Sequence, residues 1–166
     1  MTRAEEIIRL FGMKPLAKEG GFYVETYRSQ ETIGAEALSK RFEGRRNLVT
    51  AILYLLTTDT VSKLHRLKSD EIYHFYLGDE VTMLQLFPDG SSRVVTLGCD
   101  IADGQLLQAV VPRGVWMGSL LKSGGEFALM GTTVCPGFEL EDFESADREQ
   151  LLKLYPSQSE LILKLT

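Results

Sequence analysis

The sequence predicts a mainly β protein, a sandwich or barrel framed by a helix at its start and short helices at its end. Three observations carry that prediction. Between residues 61 and 134 the chain breaks into short β-rich segments, about 61–67, 71–77, 80–87, 91–97, 106–111, 113–120 and 126–134. Turn signals separate them, and Pro88-Asp89-Gly90 between two alternating runs marks a hairpin. Helical periodicity is confined to the two ends. At 166 residues, 44% apolar and 25% charged, one domain spanning 1–166 with a proper core is expected.

Thr2 and Glu5 have capping-box spacing, and Ala4, Ile7, Ile8 and Phe11 recur at helical spacing behind them. Gly12 ends that helix in a left-handed conformation and Pro15 prevents its restart. After the Gly20-Gly21 break, FYVETYR alternates as a strand, with Phe22, Val24 and Thr26 on one face and Tyr23, Glu25 and Tyr27 on the other. Residues 29–46 lack periodicity and are expected to form a long connection with a helical turn near 36–42. Residues 47–56 are apolar on both faces, which suits a strand covered on both sides. Near the end, Ser145 is expected to cap a helix with Asp147 and Glu149 in its first turn, and Pro156 to stop it. Ser157 and Glu160 have the spacing of a second capping box before LILKL.

Composition excludes several functions. Net charge is −5 and no basic stripe exists, so nucleic acid is not an expected partner. Lys40, Arg41, Arg45 and Arg46 cluster loosely, and are read as a solvated loop rather than a phosphate site. No apolar run nears the ~20 residues that cross a bilayer, so no membrane is expected. The first residues carry no export signal, and Cys99 and Cys135 form no CxxC unit, which points to a reduced, cytoplasmic setting. Neither a phosphate loop nor a nucleophile elbow occurs.

The function-like stretch is SKLHRLKSDEIYHFYLG, Ser62 to Gly78, which holds both histidines, His65 and His74, with Glu71 between them. It resembles the first cupin motif, G-x5-H-x-H-x(3,4)-E-x6-G, with His65, Glu71 and Gly78 in place and Leu67 where the second histidine would stand. Pro112 and Gly114 resemble the start of the second motif, with Met117 in place of its histidine. GGFYVETYRS, LGCDIADGQLLQAVVPRGVWMGS and VCPGFELEDFE extend the likeness over nearly the whole chain, to the cupin subfamily DUF985 (Cupin_5). That resemblance implies a cupin-type double-stranded β-helix, a jelly-roll barrel, assembled as a homodimer. It supplies no reaction.

By alternation and the cupin pattern, His65, Leu67, Glu71, Tyr73 and Phe75 face the barrel interior, and one of Trp116 and Met117 lines the same cavity. Such a pocket, with aromatic walls and a small polar centre, suits a small polar or carbohydrate-like metabolite. His65 and Glu71 are the candidate catalytic pair, an acid and base for isomerisation or epimerisation without a metal. A filled core with a satisfied His–Glu pair is the plain alternative. A divalent ion on His65 and Glu71, in a dioxygenase or isomerase, is a rival, but two ligands are too few for a tight site, so no cofactor is expected. A non-catalytic binding protein is the third reading. His74, three residues from Glu71, falls on the outer face or a dimer interface. Ser69 and Asp70 read as turn caps. Tyr27 and Arg28 are candidate partners for an anionic ligand, with a core tyrosine and a surface arginine the favoured reading.

Overall fold

A computed structural model describes all residues, Met1–Thr166. Two antiparallel sheets face each other. One is six-stranded, ordered Lys14–Pro15, Phe22–Arg28, Thr50–Thr57, Phe127–Cys135, Asp70–Gly78, Gln108–Val111. The other is five-stranded, ordered Phe143–Ser145, Val61–Leu67, Trp116–Leu121, Val81–Leu86, Ser92–Leu97. Consecutive strands 61–67 and 70–78 lie in different sheets, so the chain crosses between the layers at Lys68-Ser69. This is a jelly-roll arrangement.

The expected strands from 61 to 135 form close to their predicted bounds. Alternation then decides what lies between the sheets. Tyr54, Leu56, Tyr73, Phe75, Met83, Met117 and Met130 meet in the inner core. Trp116, Leu84 and Leu86 face the other way, onto Leu151, Tyr155, Ile162 and Leu165 of the C-terminal helices. Leu55 and Leu129 pack outward against Ala4 and Ile7 of the first helix, Arg3–Phe11.

That first helix has the reciprocal Thr2–Glu5 cap, and Gly12 ends it at φ 61°. Phe11, expected on its apolar face, is exposed. Residues 36–42 form turns, not a helical turn, because Thr32–Ile33 pairs with Arg46–Asn47 and closes a small hairpin around them. The loop is also less solvated than its composition suggests. Arg46 is 2% exposed and forms a double hydrogen bond to buried Asp142, Nε–Oδ2 2.8 Å and Nη2–Oδ1 2.8 Å.

The C-terminal helix Arg148–Leu154 is capped by Asp147, not Ser145, which belongs to the edge strand Phe143–Ser145. The second capping box does not form: Ser157 lies in a 3-10 turn, and the last helix, Ser159–Lys164, starts without a side-chain cap. No helix is long and apolar enough to cross a membrane. Cys99 and Cys135 are unpaired and exposed.

Candidate functional site

His65 sits in the middle of the Val61–Leu67 strand and is 2% exposed. Its Nδ1 lies 2.7 Å from the Lys63 carbonyl. A carbonyl can only accept, so Nδ1 carries a hydrogen and Nε2 is the nitrogen left facing the cavity. The imidazole stacks on Phe143, with centroids 4.9 Å apart. Its Nε2 is 3.8 Å from Oε2 of Glu19.

Glu19 was not apparent from the sequence, where Gly20-Gly21 signals only a break. Long-range contacts bring it in. The Lys63 N–H donates to the Glu19 carbonyl at 2.8 Å, the Ser62 hydroxyl donates to Oε1 at 2.7 Å, and the Tyr54 hydroxyl donates to the Gly20 carbonyl at 2.9 Å. The two glycines make this seating possible. Gly20 has φ 101°, and a Cβ there would lie 2.2 Å from the Val61 carbonyl oxygen. The loop therefore lies flat on the barrel and turns Glu19 into it.

Glu71 faces the same space from the other sheet, on the Asp70–Gly78 strand, and is 7% exposed. Burial, then the charge of Glu19, raise its pKa from 4.5 to about 7; the positive charge of His65 and the Thr132 hydroxyl pull weakly the other way. The expected direct His65–Glu71 hydrogen bond is absent. The carboxylate nearest the imidazole is Glu19, and Glu71 is the neighbour whose protonation is balanced near neutrality.

These groups end a cavity of about 280 Å³ between the sheets. Tyr23, Ile52, Leu67, Val134, Phe138 and Phe143 wall it. Lys18, Glu25 and Arg28 stand among its polar lining. Arg28 is there because of a bulge. The register to the Thr50–Thr57 strand shifts between Glu25 and Tyr27, so Tyr23, Glu25 and Arg28 face inward with their partners Tyr54, Ile52 and Thr50. Strict alternation had put Tyr27 inside and Arg28 outside; Tyr27 is instead exposed. Arg28 bridges Glu25 at 2.9 Å and Glu139 at 2.8 Å, and these bonds raise its pKa despite partial desolvation.

Of the residues expected to line the cavity, Leu67 does. Met117 points inward beneath His65, its cross-strand partner, into a small void shared with Glu71. Tyr73 and Phe75 also point inward but do not wall the pocket. Each step of two residues along the strand moves about 7 Å deeper, so they fall in the packed half of the barrel, below Glu71. Trp116 is a correction. Alternation gives the interior to Met117, and the indole lies outside, under the Arg66 guanidinium at 4.4 Å. His74 is on the outer face, between Thr133 Oγ1 (3.2 Å) and Gln108 (3.1 Å). Ser69 donates to the Pro136 carbonyl and Asp70 accepts from the Arg113 N–H, so both tie down turns.

The donor set does not fit the divalent ion of metal cupins. Two motif positions hold Leu67, which has no donor, and Met117, a soft thioether buried in the core. No group of three or more His, Cys, Asp or Glu side chains is placed to hold a metal ion.

The model of the family described as Cupin superfamily (DUF985) matches residues 5–146. The uncharacterized protein YML079W of Saccharomyces cerevisiae is 34% identical over 145 residues, covering 82% of this chain and 72% of the yeast protein. A crystal structure of a Shewanella oneidensis protein superposes with TM-score 0.85 at 35% identity, covering 100% of this chain and 98% of that one. A hypothetical protein from Leishmania major does so with TM-score 0.87 at 30% identity, covering 99% of each chain. None of the three is named for an activity.

Proposed function

We propose a function for this chain as a member of the Cupin superfamily (DUF985), the family to which it belongs: it binds a small polar, carbohydrate-like metabolite in its barrel and isomerises or epimerises it by proton transfer, without a metal. The observation that carries this reading is an open pocket ending on Glu19, His65 and Glu71, with Glu71 poised at about 7. At that value both protonation states are populated at neutral pH, which a group that must take and return a proton requires. Glu71 and His65 Nε2 are the proton-transfer groups. One removes a proton from the carbon beside a substrate carbonyl, leaving an enolate; the proton returns to that carbon for an epimerisation, or, once the other group has carried the adjacent hydroxyl's proton to the former carbonyl oxygen, to the former carbonyl carbon for an isomerisation. Glu19, 3.8 Å from Nε2, orients the imidazole.

The pocket chemistry supports a hydroxylated ligand. Glu19, Thr50 and Thr132 offer acceptors and donors at one end, while Tyr23, Phe138 and Phe143 offer faces for C–H surfaces. A cytoplasmic homodimer belongs to the same reading. Tyr76, Leu77 and Val110 are exposed on the outer face of the six-stranded sheet around His74, and this face suits a second copy.

The test is a panel of aldoses, ketoses and sugar acids in D2O, with wild type, Glu71→Gln and His65→Asn. A compound that binds saturably should take up solvent deuterium beside its carbonyl, and Glu71→Gln should slow this at least about a hundredfold. Binding without exchange would leave a binding protein in place of an enzyme. Exchange at the wild-type rate in both variants would remove these residues from the mechanism.

A further inference from the structure

A second concavity, of about 470 Å³, lies outside the barrel. It is lined by Arg41, Arg66, Lys68 and Arg113, with Glu141, Asp142 and Glu144 among them. The acids are already engaged. Asp142 and Glu141 are held by buried Arg46, the latter at 2.6 Å, and Glu144 takes both arms of Arg66 at 2.8 Å. Three cations are engaged only in part. Arg41 donates through Nε to the Lys68 carbonyl at 2.8 Å and lies 4.5 Å over the Phe42 ring, which leaves its terminal nitrogens without a partner. Lys68 has only long contacts, 3.4 Å to exposed Glu43 and 3.8 Å to Asp142. The Arg113 side chain makes no hydrogen bond, while its backbone N–H is pinned to Asp70. In a chain of net charge −5, three separate loops thus bring together cations that keep free donors.

We propose that this cleft binds a phosphate group. A phosphate carries close to two negative charges and three acceptor oxygens at neutral pH, which matches two guanidinium groups and an ammonium better than a single carboxylate does. Arg41 is partly fixed by its bond and its stacking, so less side-chain entropy is lost when it engages. The cleft shares Leu67 and Phe143 with the barrel pocket but none of its titrating groups. The proposal therefore stands without the barrel chemistry.

The test follows backbone amide shifts in the full chain at low salt while inorganic phosphate, glucose 6-phosphate and acetate are added separately. Phosphate should shift residues near 41, 68 and 113 saturably, with half-saturation below about 10 mM. Lys68→Gln with Arg113→Ala should weaken it about tenfold or more, and Lys164→Gln, on the C-terminal helix, should not change it. Acetate should bind at least about tenfold more weakly. Equal binding of both phosphates assigns the site to the free ion; tighter binding of the ester assigns it to a phosphorylated metabolite. No saturable shift, an unchanged double variant, equal acetate binding, or an equal loss in Lys164→Gln would overturn the proposal. Both replaced side chains in the double variant reach solvent, and its unshifted spectrum elsewhere checks the fold.

Discussion

Replacing Glu71 by glutamine should make the protein more stable at alkaline pH, not less. In the unfolded chain the carboxyl titrates near 4.5, and in the folded chain near 7. Between those values the folded state holds a proton that the unfolded state has lost, so stability falls as pH rises through the window. The difference of about 2.5 units corresponds to about 3 kcal/mol, present as a cost above pH 7 and absent below 4.5. Glutamine keeps the shape and stays neutral throughout. Urea denaturation of wild type and Glu71→Gln should therefore coincide within about 1 kcal/mol at pH 4.5 and separate by up to about 3 kcal/mol at pH 8. In melting temperature, that is about 6–12 °C in favour of the variant. Glu19→Gln removes one of the charges that raise the Glu71 pKa, so its stability should fall less steeply across the same window. Equal destabilisation of Glu71→Gln at pH 5 and pH 8 would refute the reasoning, because it would make Glu71 an ordinary ionised carboxylate with hydrogen bonds to lose.

Two further outcomes follow from the same contacts. Gly20→Ala forces a Cβ against the Val61 carbonyl at a positive φ. It should cost at least about 2 kcal/mol in urea denaturation and also lower the pH midpoint of Glu71, read by carboxyl carbon NMR, as Glu19 is displaced. Asp142→Ala leaves the Arg46 charge buried without its main partner, a loss of about 3–5 kcal/mol. Exposed Glu141→Ala should stay within about 1 kcal/mol, and equal losses in the two variants would contradict a buried pair.

The frame of the fold was legible because strand period and turn chemistry are local. The strands around Pro88-Asp89-Gly90 and the run from His65 to Gly78 formed where alternation put them. The site was legible only in part. His65, Leu67 and Glu71 follow from motif and period, but the depth of Tyr73 and Phe75 depends on where packing stops along a strand, which period alone does not encode. Trp116 and Met117 are adjacent, and only the register with the Val61–Leu67 strand decides which enters. Arg28 was misplaced by the Thr26 bulge, an insertion with no compositional mark. Glu19 escaped notice, and Arg46 was read as solvated, because their partners, at 62–65 and 141–142, are remote in sequence.

The walls of the pocket have two origins. Glu71, Ile52, Thr132 and Val134 project from central strands of the six-stranded sheet, where any change disturbs two neighbours. Lys18, Phe138 and Leu140 come from connecting segments outside the ladders. Selection can therefore vary the walls that come from the connecting segments while leaving those on the central strands intact. Homologues of one fold would then be free to diverge in what the pocket admits, and a ligand learned for one member need not transfer to the next.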